Sequence, residues 1–413
     1  MLTKKKQLRA GKSVWLAFPA PKVASSAAAA AGSLTADVLV IGAGISGALV
    51  SEMAASVGLS VIIADRRGPI LGSTPASTAL VQYEIDTPLT QLREKIGETN
   101  AIRAWRRSKL AVENLAHRTE YLGIDCHMVR RNSLYLAGNS LDAQQIAEEG
   151  AARNAAGIET ALLTRSQLKA RYHLARSSAL LSFGNLALNP RLLTAGYLRQ
   201  AIEKGVRILA PEEVVDIEQH SYGIAATLKS GARLRAKSVV YASGYELPKF
   251  ITTRSLKIAS TFAIATRPQK RRLWPTEAMI WEASDPYLYL RTTPDGRIIC
   301  GGEDEPFSDE DKRNALLPAK VKRIRAKLQR LMPWVDTRPE FEWAASFGMS
   351  STGLPRIGRI PGRKNVYAAL GYGGNGITFS RIAAEVLTAQ LTGRHDPDED
   401  LFAFSTTGKA MKE

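Results

Sequence analysis

Cysteine is nearly absent from this chain: Cys126 and Cys300 are the two in 413 residues. Two thiols build no disulfide framework, and their separation matches no zinc spacing, so a reducing, cytoplasmic setting is expected. The five histidines, His117, His127, His173, His220 and His395, also lack metal-ligand spacing, and no metal is expected. No stretch reaches the ~18 consecutive apolar residues that a membrane span requires, so the chain is expected to be soluble. Internal repeats and a linker that divides the chain cleanly are missing too. Acidic residues are in the minority, 39 against 56 lysines and arginines, a formal charge of +17.

The basic excess falls into short runs. Lys4, Lys5 and Lys6 precede the apolar residues 14–18, which Pro19 and Pro21 interrupt, and an alanine-rich run at 27–31. That apolar run is too short for a signal core, so residues 1–33 are expected to form a solvated arm. In the densest run, 320–327, Val321, Ile324, Leu328 and Leu331 recur three or four apart, the pattern of an amphipathic helix with a basic outer face. Neither it nor Lys270-Arg271-Arg272 is accompanied by a zinc pattern or an aromatic-basic signature, and nucleic acid is not an expected partner.

What the chain has is an ordinary globular composition, 45% apolar and 23% charged, and a length that suggests two or three domains. Asp37-Val38-Leu39-Val40-Ile41 is a nearly unbroken apolar run, as in a strand covered on both faces. Gly42-Ala43-Gly44-Ile45-Ser46-Gly47 follows, then a helical stretch to Val57, and a second strand, 60–64, that ends at Asp65. The aspartate comes 18 positions after the last glycine, close to the ~20 of a dinucleotide-binding unit. Gly42 permits the tight turn, Gly44 lets backbone approach a pyrophosphate, and Gly47 lets the helix pack on the strand. The helix start at Ile45 and Ser46 offers N–H groups and a positive dipole end to phosphate, and Asp65 suits ribose hydroxyls. Arg66 adds an ambiguity, since arginine here can serve a 2′-phosphate; the fingerprint alone does not separate FAD from NAD.

Farther along, residues 89–122 and 189–204 look helical. Segments 130–137, 205–209, 286–291 and 297–301 look like strands, and 225–235 like a hairpin turned at Ser230-Gly231. Val239 to Gly244 is another buried strand, running into Ala242 and Gly244. Near the end, strand 365–370 enters Gly371-Tyr372-Gly373-Gly374-Asn375-Gly376, and a helix with Phe379, Ile382, Ala383, Val386 and Leu387 on one face follows. Its N-terminal N–H groups suit a negatively charged ring.

Together the 37–65 unit, Gly72-Ser73-Thr74-Pro75-Ala76-Ser77-Thr78, Tyr241-Ala242-Ser243-Gly244-Tyr245, Gly353-Leu354-Pro355-Arg356-Ile357-Gly358 and Gly371 to Ile377 resemble, in order and spacing, the FAD-dependent D-amino-acid oxidase family. That family includes glycine oxidase, sarcosine oxidase and the gamma-glutamylputrescine oxidases. The resemblance spans roughly residues 34–404. It implies an α/β fold in which a Rossmann-like FAD domain (34–88, 160–250, 345–404) interleaves with an antiparallel-sheet substrate domain (89–159, 251–344). It further implies FAD contacts at Gly42, Gly44, Gly47, Asp65, Ser73, Thr74, Thr78, Val214, Gly374, Asn375, Gly376, Ile377 and Thr378. Lys249 aligns with the lysine that promotes oxygen reaction in sarcosine oxidase.

Two departures carry chemistry. Phe347 stands where glycine and D-amino-acid oxidases have a carboxylate-gripping arginine, so that clamp is missing and an aromatic wall is expected. Ala345 stands where the covalent branch has its flavin-linked cysteine, so the FAD is expected to be non-covalent. Arg291 is a candidate for binding a carboxylate from the substrate sheet. The stretch 77–86 is similar to the gamma-glutamylputrescine-type branch, as is the prefix around Trp15. The implied activity is oxidation of the C–N bond of a small amine or amino acid by hydride transfer to flavin N5, with O2 or an electron carrier as acceptor. A same-fold dehydrogenase, a tRNA-modifying flavoenzyme and a non-catalytic flavin scaffold are the alternatives.

Overall fold

The computed structural model describes residues 2–3, 5–28, 34–251 and 256–404. Lys4 and most of the alanine run lie outside them.

Two sheets organise the chain. The first has the spatial order Arg356–Arg359, Val366–Leu370, Arg233–Tyr241, Thr35–Ile41, Val61–Ala64, Arg207–Leu209, and Val214–His220 and Gly223–Leu228 extend it from Arg233–Tyr241. Its five central strands are all parallel, with Val38 between Val61 and Ser238. Parallel strands are buried on both faces, and here Val38, Leu39, Val40, Ile62 and Ile63 are all solvent-inaccessible or nearly so. The helices Ile45–Ser56, Pro190–Glu203 and Gly376–Leu391 pack together over one face.

The second sheet runs Arg9–Lys12, Pro339–Ser350, Leu256–Thr266, Ile298–Glu305, Leu288–Thr292, Met279–Glu282, Val129–Leu136, Ser178–Ala187, Leu80–Val81, and Thr160–Thr164 pairs alongside Ser178–Ala187. Its pairs are antiparallel except Met279–Glu282 with Val129–Leu136. The helix Glu310–Leu331 covers it, burying Val321, Ile324, Leu328 and Leu331 as the periodicity requires. That helix's basic face is only partly free: Lys320 is buried at 2.6 Å from Glu305, and Lys327 is 2.5 Å from Glu303.

The expected elements appear with three differences. The helical stretch 89–122 is two helices, Leu89–Ile96 and Glu98–Tyr121, because Gly97 between them has φ +82°. The strands Thr160–Thr164 and Ser178–Ala187 belong to the second sheet, so 160–187 does not share the first sheet with 205–241. The N-terminal residues are not a solvated arm. Arg9–Lys12 pairs with Pro339–Ser350, and Gly11, at φ +72°, lies so close to that strand that a Cβ would sit 2.3 Å from Glu342 O. Val14 and Trp15 are buried against Ala76, Phe341 and Trp343, and Trp15 Nε1 donates to Ser77 O at 2.7 Å. Val14 and Trp15 thus complete a core where sequence alone suggested exposure, while Ala17 and Phe18 stay exposed as expected.

Candidate active site

One continuous cavity is lined by residues of both sheets, and both glycine turns open into it. At one end are Gly42, Gly44, Ile45 and Ser46. The Gly42 backbone (φ +117°) leaves no room for a side chain: a Cβ would be 2.5 Å from Ala242 O. Gly47 does not face the cavity; a Cβ there would meet Gly42 O at 1.9 Å, so this glycine permits the helix Ile45–Ser56 to start against the turn. Its N-cap, Gly44, has no side chain to cap the helix, and Thr74 Oγ1 accepts from the Ile45 amide at 3.2 Å. Such a helix start presents amides and a positive dipole end.

Asp65 borders the same end. Its Oδ2 accepts from Ala43 N at 2.8 Å and its Oδ1 from Arg67 N and Gly68 N at 2.8 and 2.9 Å, which fixes the carboxylate at the strand's end. Arg66 and Arg67 line the cavity here, but both are engaged by Glu246, at 2.7 and 2.6 Å, and Arg66 also by Glu213 at 3.2 Å. Burial pushes the Glu246 carboxyl up, and the Arg67 hydrogen bond, the Lys6 amide and Arg66 overcome it, holding the group below the usual carboxylate range. Arg66 is therefore committed to two carboxylates rather than free for a 2′-phosphate. Leu2, Thr3 and Leu8 close this end from the N-terminal segment.

Ser73, Thr74, Thr78, Val214, Ala242 and Gly244 also line the cavity, Val214 on the Asp65 side, where the Glu212 amide donates to Asp65 O at 2.8 Å, and Ala242 against Gly42. The second turn contributes Tyr372, Gly373, Gly374, Asn375, Gly376 and Ile377. Gly371 and Thr378 stand behind it: Gly371 (φ +74°) packs on Leu256, and Thr378 Oγ1 donates to Gln82 O at 2.7 Å. Asn375 Nδ2 donates to Glu84 O at 2.8 Å and to Gln82 O at 3.2 Å, clamping residues 82–86 to the start of Gly376–Leu391. The Gly374 amide donates to Asp86 Oδ2 at 2.8 Å.

The far end is aromatic: Tyr245, Trp281, Tyr287, Tyr289, Phe347 and Tyr372 line it with Thr261 and Ala345. Tyr289 lies across Gly301, where a Cβ would meet its hydroxyl at 2.3 Å. Trp281 stacks on Tyr135 with centroids 3.7 Å apart. Tyr287 Oη donates to Asp304 at 2.5 Å. Burial raises the Asp304 carboxyl to about 6, although the hydrogen bonds from Tyr287 and Thr261 oppose it.

Two expected catalytic residues are elsewhere. Lys249 is exposed and outside the cavity wall, because the chain after Tyr245 turns out to meet the N-terminal segment, with Lys249 N donating to Leu2 O at 2.8 Å. Arg291 is buried beneath the wall. Strand alternation places it on the same side as Tyr287 and Tyr289, but its guanidinium donates to Thr78 O at 2.8 Å and Leu188 O at 2.7 Å and lies 5.3 Å from the Trp15 ring centre. Phe347 is in the wall as expected. Asp86, Tyr245, Tyr287, Tyr289 and Trp281 were missed. The alternation Tyr287-x-Tyr289 signalled one face of a strand, and Asp86 ends the stretch 77–86, but neither pattern names a ligand.

The wall suits a flavin dinucleotide. Ser73 Oγ, Gln82 Nε2 and Asn375 Oδ1 are buried without a hydrogen-bond partner along it, a costly state unless a ligand supplies one. Gly44 and Gly374 offer bare backbone. Cys300 is buried away from the cavity and Ala345 borders it. Among the described residues no group of His, Cys, Asp or Glu could hold a metal ion, and no helix is long and apolar enough to cross a membrane.

Comparison with known proteins agrees. Residues 37–390 match the family described as FAD dependent oxidoreductase (DAO). The chain is 23% identical to the probable oxidoreductase OrdL of Haemophilus influenzae, over 89% of this chain and 85% of that protein. It is 21% identical to gamma-glutamylputrescine oxidoreductase of Escherichia coli, over 87% and 84%. The crystal structure of glycine oxidase from Geobacillus kaustophilus superposes with a TM-score of 0.74 at 19% identity, covering 91% of this chain and all of that one. A dinucleotide turn, a second glycine turn on the same cavity and a match over most of the length have one meaning: this enzyme belongs to the DAO family of FAD-dependent oxidoreductases.

Proposed function

We propose that this enzyme oxidises the C–N bond of a small amine or amino acid, with FAD held non-covalently and O2 as the final acceptor. The observation that carries the reading is the continuous cavity joining the Gly42–Ser46 turn to the Gly374–Ile377 turn and ending in an aromatic chamber. The FAD, when bound, supplies the acceptor for the hydride that leaves the carbon next to nitrogen, and the imine product hydrolyses in water.

This chain's residues have three tasks. The amides of Gly44 and Ser46 and the Asp65 carboxylate hold the adenosine diphosphate half, while Ile45, Ser73, Thr74, Thr78, Val214, Ala242 and Gly244 line its course. Gly374, Asn375, Gly376 and Ile377 meet the ring, where the positive end of the helix Gly376–Leu391 stabilises negative charge. With Lys249 outside the wall, this dipole takes the electrostatic role expected of the lysine. Tyr245, Trp281, Tyr287, Tyr289 and Phe347 exclude water around the reacting carbon.

In this reading the first sheet and its helices form the FAD domain, the second sheet forms the substrate domain, and the protein works in the cytoplasm. Purified protein is expected to show oxidised-flavin absorbance that acid releases entirely into the supernatant. An amine or amino acid should bleach it anaerobically, and air should then yield peroxide. Flavin retained in the precipitate refutes non-covalent binding, reoxidation by a quinone but not by air refutes the oxidase, and no bleaching across a broad panel refutes the reaction.

A further inference from the structure

The charge pattern at the aromatic end narrows the substrate, resting on the reaction just proposed. Arg66 and Arg67 are the cationic residues among those lining the cavity, and both are at the opposite end, bound to Glu246. Among the residues that line the aromatic chamber the formal charge is negative. Asp86 lies deep in the protein yet its side chain is accessible, because it borders the cavity. Its one hydrogen-bond donor is the Gly374 amide, and no described cation is within ion-pair distance of it. Burial raises its carboxyl despite that amide, the mark of a carboxylate that lacks a counter-ion. Asp304 stands behind Tyr287 and adds to the negative potential; Asp86 raises the Asp304 carboxyl, and both carboxylates raise the Tyr287 hydroxyl. The rings of Trp281, Tyr287, Tyr289 and Phe347 offer faces that attract cations. Arg291, which could have reversed the sign, is turned beneath Thr78.

We infer that the substrate is an amine that enters as an ammonium ion and carries no carboxylate, with Asp86 as its counter-ion and specificity determinant; its nitrogen gives one proton to solvent before the hydride leaves, so the neutral amine is the form oxidised. A substrate carboxylate would meet Asp86 with no positive side chain lining the aromatic chamber. Two like charges ~5 Å apart at an effective dielectric of ~20 disfavour binding on the order of 100-fold. Asp86 is held for this task. Asn375 clamps residues 82–84, and Glu149 accepts from Leu89 N and Thr90 N at 2.9 Å each, so both flanks of the carboxylate are tied down.

The test uses flavin-loaded enzyme and pairs that differ by one carboxylate: 1,5-diaminopentane with lysine, and benzylamine with phenylglycine, both enantiomers of each acid. Anaerobic bleaching should favour the amine of a pair by at least 100-fold in kcat/KM. Asp86→Asn, which keeps an oxygen for the Gly374 amide, should raise KM for the amine at least 30-fold, change kcat far less and shrink the preference within the pair. Equilibrium binding gives a readout without turnover: tetramethylammonium should perturb the flavin spectrum of the parent enzyme and benzoate should not. Faster oxidation of the amino acids, tighter binding of benzoate, or an Asp86→Asn enzyme with unchanged preference overturns this inference and leaves the C–N oxidase reading intact. A spectrum that no compound of either class bleaches overturns both.

Discussion

Arg291 is the residue on which sequence and structure disagree most usefully. Alignment with a substrate sheet makes it a candidate carboxylate ligand, whereas the structure makes it a buried brace between Thr78, Leu188 and Trp15. The magnitudes are calculable. Burial and the nearby Arg131 lower its guanidinium from 12.5 to about 9, so its charge costs up to ~5 kcal/mol relative to water. Two hydrogen bonds from a charged donor return ~1.5–3 kcal/mol each, and the indole face ~0.5–2 kcal/mol, so the brace roughly breaks even. Arg291→Met removes the buried charge but strands two carbonyls, each costing ~1–3 kcal/mol. The expected net loss is ~2–6 kcal/mol, a fall in melting temperature of about 2–7 °C, with substrate KM changed less than about tenfold once FAD is saturating. Thermal unfolding and steady-state kinetics on the same preparation decide it. An unchanged melting temperature with KM raised about 100-fold or more would show that Arg291 grips substrate and that the brace is wrong.

Three further outcomes follow from geometry already given. Gly47→Ala places a methyl 1.9 Å from Gly42 O; the turn must move, and the ratio of visible to ultraviolet absorbance should drop at least tenfold, so full flavin content would refute the assigned packing. Asp304→Asn has a sign set by linkage. The native carboxyl holds its proton up to about 6 while the unfolded one releases it near 3.8, so the parent loses stability as pH rises from 4 to 6, by at most ~3 kcal/mol. The asparagine variant should therefore melt higher at pH 7 and equally at pH 4; a lower melting temperature at pH 7 is the contrary result. Lys249→Met should leave reoxidation of the reduced enzyme by air unchanged, because Lys249 is exposed, and a large slowing would restore its expected role.

Legibility in the sequence followed the range of the interaction that decides each feature. The turn at Gly42–Gly47 is specified within a few residues, by a strand, a helix start and an aspartate, and the structure has all of them in place. The second turn was legible for the same reason. Sheet membership was not: Ser178–Ala187 lies within the 160–250 stretch expected in the FAD domain, but its strand neighbours Val129–Leu136 and Leu80–Val81 lie about 50 and 100 residues away in the chain, in the second sheet. The N-terminal segment was misjudged because the partner that buries it, Pro339–Ser350, is at the other end of the chain. Asp86 is the last residue of the stretch 77–86, but its setting depends on an amide 288 residues distant.

The same distinction explains why family resemblance carries over unevenly along the cavity. The dinucleotide end is made largely of backbone, where glycines, helix starts and amides meet a ligand that is constant across the family, so its constraints appear as glycine spacing. The substrate end is made of side chains from strands that pair across the second sheet, Leu256–Thr266, Met279–Glu282, Leu288–Thr292, Ile298–Glu305 and Pro339–Ser350. A strand tolerates many residues on one face without losing its pairing, so that face can exchange an arginine for Phe347 and place Tyr287 over Asp304 without disturbing the fold. The overall charge of +17 does not predict its potential either, because the basic residues on Glu310–Leu331 are partly neutralised by Glu303 and Glu305 while Asp86 remains uncompensated within the chamber. Charge at a binding site is set by which groups lack partners there, and such a group becomes visible only once the chain is folded.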